Sequence, residues 1–265
     1  MGAVGAGIYS VAFERYLIQE NNYTMYFERL PEAFDGFKIA VLTDLHYGQL
    51  MPEFWVKSII NKCNALNTDV IVGVGDYVHK SNTDSELKTV WPILNTLKAK
   101  YGVFCVNGNH DHWANAKLAG RLLEESGFNV EHKPKVIKKG KQSIIISGVG
   151  DYTESKFLLD ESLAKANQNT FKIVLAHNPD SVDLPHQTFT DLFISGHTHG
   201  GQVRIPFINY APILPVKNRA YDCGIKHLKN AEQLFISKGI GWAILPIRFN
   251  TYPEIAILTL KNKVT

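Results

Sequence analysis

From Phe37 to Leu175, short apolar runs alternate with segments of helical period, and the runs stop abruptly at side chains able to hold a proton or a metal. Phe37 to Thr43 ends at Asp44-Leu45-His46, Asp69 to Val74 at Gly75-Asp76, and Val103 to Val106 at Gly108-Asn109-His110-Asp111. Phe171 to Ala176 ends at His177-Asn178-Pro179, and a later run, Leu192 to Ser195, leads into Gly196-His197-Thr198-His199-Gly200-Gly201. Brief runs rich in β-branched and aromatic residues read as buried strands. Between them, Glu53 to Leu66 carries apolar residues at 56, 59, 60, 63 and 66. A second helical face holds Leu87, Val90, Trp91, Leu94 and Leu97, with Pro92 as a candidate kink. Lys117 to Glu125, ended by Gly127 as a C-cap, and Leu158 to Ala166 read as further helices. Ser143 to Val149, Gln233 to Ile236 and Glu254 to Leu260 complete the strands, and the alternation selects a layered α/β architecture.

No repeat, low-complexity tract or Pro/Gly/Ser linker divides the 265 residues, so residues 31–265 read as one domain behind an N-terminal segment, residues 1–30. Gly2 to Phe13 is apolar, but Glu14 and Arg15 end it far short of a membrane span of ~20 residues. With no basic segment before it, it does not read as a signal peptide. A packed edge segment, a weak interfacial anchor and the remnant of a longer membrane anchor are all open readings. Twenty-eight basic against twenty-five acidic residues give a net charge of +3, too mild a bias to argue for nucleic acid. The ten histidines are the more telling count, and no protein partner is evident. Cys63, Cys105 and Cys223 are scattered, so no disulfide framework is implied; Cys63 and Cys105 read as core fillers.

Each polar residue at a strand end has an ordinary explanation. Asp76 after a glycine fits a turn, Asn109 a left-handed residue, and His177 a strand terminus. Five runs ending in metal-competent groups are harder to assign to chance, because ligand sites of open α/β sheets gather beyond the carboxyl ends of strands. On an extended chain, Asp44 and His46, or His197 and His199, would each share a face.

D-x-H, then G-D, then G-N-H-D, then a lone His, then G-H-x-H, in this order, resembles the calcineurin-like metallophosphoesterases. The resemblance implies a layered β-sandwich of mixed sheets flanked by helices, holding two divalent metals. It places Asp44, His46 and His199 on one metal and Asn109, His177 and His197 on the other, with Asp76 bridging. The mixture of imidazole, carboxylate and amide suits Mn²⁺, with Fe or Zn²⁺ as alternatives. It makes His110 the residue that protonates the leaving oxygen or stabilises the transition state. Asp111 either orients a neighbour or closes the turn. The phosphoprotein phosphatases continue G-D with an Asp three residues on and then an Arg. Here Asp76-Tyr77-Val78-His79-Lys80 has neither, which leaves the partner of His110 unassigned and reads His79 as a loop residue, with a substrate contact as the alternative.

In the last third, Gly200-Gly201-Gln202-Val203, Gly239-Ile240-Gly241, Pro246-Ile247-Arg248-Phe249 and Pro253-Glu254-Ile255 are similar to a bacterial, membrane-associated branch. That branch includes phosphodiesterases resembling the UDP-2,3-diacylglucosamine hydrolases of lipid A biosynthesis. The expectation is therefore a phosphoester hydrolase acting on a nucleotide-linked glycolipid, in the cytoplasm or peripheral on the bacterial inner membrane. The apolar N-terminus and Pro206 to Pro215 would offer a surface to acyl chains. A nucleotide phosphodiesterase, a wall-associated phosphatase and a non-catalytic metal-binding scaffold are the alternatives.

Overall fold

The computed structural model describes residues 3–48 and 50–263. Two mixed sheets lie face to face. The first, five-stranded, runs β1 (Gln19–Phe27), β11 (Glu254–Asn262), β2 (Phe37–Leu42), β3 (Val70–Val74), β4 (Val103–Val106). The second, six-stranded, runs β5 (Lys135–Lys139), β6 (Gln142–Gly148), β7 (Phe171–Leu175), β8 (Leu192–Ser195), β10 (Gln233–Ile236), β9 (Gly224–His227). β2, β3 and β4 are mutually parallel, as are β6, β7, β8 and β10; β11 is antiparallel to β2.

The central strands are apolar throughout because both of their faces are covered. Ile39 and Val41, Val70 and Val72, Ile173 and Leu175, and Leu192 and Ile194 meet between the sheets. The alternate residues Ala40, Leu42 and Ile71 turn outward beneath α2 (Glu53–Ala65), α3 (Asp84–Leu94) and α4 (Asn109–Glu125). On the far side, Val174, Phe193 and Leu234 pack under α5 (Leu159–Leu163). The helical period holds in detail: Val56, Ile59, Ile60 and Cys63 are all buried, as is Cys105 on β4.

Sequence and structure differ at edges and ends. β1, β5 and β9 lie at or beside sheet edges, and their polar sequences carry no apolar run to announce them. α3 accommodates Pro92 in its last turn and stops at Leu94; Leu97 is buried outside it. α4 begins at Asn109 rather than Lys117, with an extended break at Asn115. α5 spans only five of the nine residues from Leu158 to Ala166.

Gly2 lies outside the described residues. The apolar segment beyond it forms α1 (Ala3–Ala12), whose ten residues extend about 15 Å. No helix among the described residues is long and apolar enough to cross a membrane. α1 docks on the C-terminal region, where Tyr9 and Tyr252 share a hydroxyl hydrogen bond and Arg248 N–H donates to Ser10 O. β1, within residues 1–30, pairs in parallel with β11 along its whole length and so belongs to the first sheet.

Candidate metal centre

The strands that carry the motifs all deliver their carboxyl ends to one edge of the sandwich. Asp44, Asp76, Asn109, His177 and His197 each come two or three residues after the ends of β2, β3, β4, β7 and β8. The two sheets are joined there by His177 Nδ1–H donating to Val74 O at 2.6 Å and by His197 N–H donating to both oxygens of Asp44 at 3.0 and 3.1 Å.

The extended-chain geometry expected for Asp44 with His46, and for His197 with His199, is not what brings them together. Asp44, His46, Asp76, His197 and His199 all have φ between 49° and 68°. This left-handed region is uncommon for residues other than glycine, and costs of order 1–3 kcal/mol each. The chain accepts the strain at five residues of one site. Neighbouring glycines make room: a Cβ at Gly108 would overlap the Asp76 carboxylate, and one at Gly196 would overlap Asp44 and Thr43.

Three groups of donors result among the described residues. Asp44, His46 and His199 form the first and Asp76, His177 and His197 the second, while His46 recurs with His79 and His110 in the third. In the first, His46 Nε2 and His199 Nε2 stand 3.0 Å apart, with Asp44 Oδ1 3.5 Å from His199 Nε2. In the second, His177 Nε2 lies 3.2 Å from each of Asp76 Oδ2, Asn109 Oδ1 and His197 Nδ1. Asp76 Oδ2 is also 3.6 Å from His46 Nε2, so this one oxygen sits between the first two groups. Its partner Oδ1 accepts His110 N–H at 2.8 Å.

Hydrogen bonds on the far sides of the rings settle which nitrogens face the centre. His177 Nδ1 donates to Val74 O and His197 Nε2 donates to Pro215 O at 3.0 Å, which turns His177 Nε2 and His197 Nδ1 inward. His46 Nδ1 is buried without a hydrogen-bond partner among the described residues. Burial drives the proton off His46 and His199, and off His197 down to about 4, so these imidazoles are neutral. Burial opposes charge on Asp76 too, but His177 beside it holds that carboxyl well below its usual range; burial raises Asp44 to about 6. Against burial, Asp76 raises His177 to about 10, so metal binding there would release a proton. With neutral His46, His197 and His199, the buried carboxylates and an amide oxygen, His177 completes a donor set that fits two divalent cations.

Asp111 does orient a neighbour. Its carboxylate accepts N–H from Asp76 (2.8 Å), Gly108 (2.9 Å) and Tyr77 (3.0 Å), tying the turn after β3 to the start of α4. His110 Nδ1 donates to the backbone carbonyl of His79 at 2.7 Å. His79 is more than a loop residue. Its half-buried ring lies against His46 and His110 at 5.5 and 5.4 Å between centroids, and it lines the cleft. Arg248 belongs to the site as well, although only its place in the Pro246-Ile247-Arg248-Phe249 run marks it in the sequence. Its buried guanidinium donates to Gly241 O and Lys238 O and reaches 3.4 Å from His199 Nδ1.

The cleft over this centre holds about 640 Å³. His46, Asp76, His110 and His199 line it together with an apolar set, Val203, Pro212, Ile213, Ala243, Ile244 and Leu245. Gln202 fixes that wall by donating to Ala243 O and Leu245 O while accepting Ala243 N–H.

The model of the calcineurin-like phosphoesterase family matches residues 37–201. The Bacillus subtilis metallophosphoesterase YkuE is 30% identical over 98% of this chain and 93% of that protein. Phosphodiesterase YaeI of Escherichia coli is 29% identical over 84% of this chain and 82% of its own length. UDP-2,3-diacylglucosamine pyrophosphatase LpxG of Chlamydia muridarum is 24% identical, over 87% and 86% respectively.

Proposed function

Because this chain belongs to the calcineurin-like phosphoesterase family, and so to the metal-dependent phosphoesterases, we propose that it is a phosphodiesterase or pyrophosphatase acting on a nucleotide-linked glycolipid such as UDP-2,3-diacylglucosamine. The observation that carries the reading is the lining of the cleft, in which residues of the donor groups and a run of apolar side chains share one cavity. A phosphate carrying an acylated sugar matches that mixed lining, and the likeness to LpxG points the same way.

In this reading Asp44, His46 and His199 hold one cation, Asn109, His177 and His197 the other, and Asp76 bridges. Mn²⁺ is favoured, with Fe or Zn²⁺ as alternatives. Two such cations, when bound, would supply Lewis acidity and a more acidic water. The chain's own part is positional. Asp111 holds the Asp76 turn rigid, and the His79 carbonyl holds the His110 ring so that Nε2 faces the cleft and delivers a proton to the leaving oxygen. A non-catalytic scaffold would need the donors but not an oriented histidine beside them.

The cleft opens among exposed apolar side chains. Phe207 and Ile208 tip a hairpin closed by Ile205 N–H donating to Tyr210 O, and Ile244 and Leu245 stand on the cleft wall. Ile8 and Val11 of α1 and Phe13 after it are exposed as well, and α1 is bonded through Ser10 O to Arg248 N–H, three residues beyond Leu245. This rim supports peripheral contact with a bacterial inner membrane, with the cytoplasm as the alternative location.

Incubation with UDP-2,3-diacylglucosamine and Mn²⁺ should release UMP. No UMP, with bis-p-nitrophenyl phosphate still hydrolysed, would discard the glycolipid and favour a nucleotide phosphodiesterase or a wall-associated phosphatase.

A further inference from the structure

Among the described residues no carboxylate is hydrogen-bonded to the His110 ring, and no acid stands three residues beyond Asp76. Its Nδ1 is met instead by a backbone oxygen, that of His79. A carbonyl oxygen only accepts, so Nδ1 carries the hydrogen and Nε2 is left toward the cleft. An orienting group of this kind is only as well placed as the segment that carries it.

That segment is held by one buried side chain from α3. Glu86 is 7% exposed, and its Oε2 accepts N–H from both His79 (3.2 Å) and Lys80 (3.0 Å). The Lys80 ammonium is 3.8 Å from Oε1. The same carboxylate packs directly on Gly48, where φ is +110° and an added Cβ would overlap it. Besides Glu86, His79 N–H has a bond to Tyr47 O at 3.0 Å. Glu86 thus ties α3 to the loop after His46 and to the loop whose carbonyl orients His110.

We propose that Glu86 is a positioning residue for catalysis: through the backbone of residues 79–80 it sets the orientation of His110, taking over the task of the missing acid. Removing it leaves the donor groups intact and lets the His79 carbonyl drift. A misaligned proton donor costs most when the leaving group is poor, because a good leaving group departs without a proton. The inference rests on the reading of His110 as that donor.

The test compares Glu86→Ala, Glu86→Gln, His110→Ala and the double variant Glu86→Ala/His110→Ala. Each Mn²⁺-loaded protein is assayed on bis-p-nitrophenyl phosphate and on diphenyl phosphate, with metal content measured in parallel. His110→Ala should slow diphenyl phosphate by about 10²-fold, and nitrophenyl ester much less. Glu86→Ala should lose on the order of 10-fold in kcat for the phenyl ester with KM and metal content unchanged, and Glu86→Gln, which keeps an acceptor, should recover most of it. The double variant should be no slower than His110→Ala. Where Glu86→Ala does not fold, Glu86→Gln carries the test, with a few-fold loss confined to the background that retains His110. Wild-type rates in both Glu86 variants, loss of metal, or a Glu86→Ala deficit that persists without His110 would overturn the positioning role. An unaltered rate in His110→Ala would instead remove the reading beneath it.

Discussion

His46 and His199, 153 positions apart in the chain, face each other Nε2 to Nε2 at 3.0 Å in a buried pocket. Two neutral imidazoles in this contact share at most one hydrogen, and the other ring nitrogen of His46 is buried without a partner among the described residues. A cation taken between such nitrogens replaces a poor contact with two ligand bonds. Metal removal should therefore lower thermal stability. At metal a thousandfold above its dissociation constant the linkage is about 4 kcal/mol, roughly 10 °C in Tm for a domain of this size. Dialysis against chelator, then scanning calorimetry with and without Mn²⁺, checks it. An unchanged Tm would speak against metal at these residues.

Asp76 makes a sharper demand, because its Oδ2 lies between the first and second donor groups. Asp76→Ala should lower metal content from two per chain to one or none and bring bis-p-nitrophenyl phosphate hydrolysis to background. Retention of two metals with activity would remove Asp76 from the bridging position.

The carboxylate of Asp111 serves the same turn from behind. An amide in its place has one accepting oxygen and one NH₂, so either the N–H groups of Asp76 and Gly108 or that of Tyr77 meets a donor. A buried N–H without an acceptor costs about 1–3 kcal/mol. Asp111→Asn should lose about 2–4 kcal/mol in urea unfolding, with metal affinity weakened about 10–100-fold. Full stability in this variant would show that the turn holds without it.

Much of this was legible because the central strands are covered on both faces. β2, β3, β4, β7 and β8 are near-continuous apolar runs, so their ends, and the polar groups just past them, stand out in the sequence. The edge strands β1, β5 and β9 carry a solvated face and read as polar chain. The left-handed turns at Asp44, His46, Asp76, His197 and His199 were hidden for another reason: nothing in an Asp or His side chain announces a positive φ. Glu86 and the His79 carbonyl act through backbone groups, which residue identity does not encode.

Glu131 offers a pH test away from the donor groups. Burial raises its carboxyl to about 7, against the Asn107 N–H that donates to Oε1 at 2.7 Å. A carboxyl raised on folding takes up a proton, so its ionisation removes stability as pH rises from its ordinary value, near 4.5, to about 7. Above that the loss is complete. Glu131→Gln keeps the acceptor and removes the charge, so it should be more stable than the parent by about 1–3 kcal/mol at pH 8 and equal to it near pH 4.5. Urea titrations of both proteins at each pH cancel every other titrating group. An advantage that did not grow between these limits would show that the Glu131 charge is solvated.

The hairpin tip separates lipid contact from chemistry. Phe207 and Ile208 are exposed and do not line the cleft, while Arg204 holds the loop behind them through Asn209. Their apolar surface therefore contributes nothing to a soluble diester. Burying a Phe or Ile side chain contributes about 1.5–3 kcal/mol, so the pair replaced by serine should weaken partitioning onto anionic phospholipid vesicles by at least 10-fold. The kcat/KM for bis-p-nitrophenyl phosphate should stay within about twofold, because no contact with the donor groups changes. Vesicle co-sedimentation of Phe207→Ser/Ile208→Ser beside the parent reads the first quantity, and a colorimetric assay the second. Equal sedimentation of the two proteins would mean that this rim does not meet lipid.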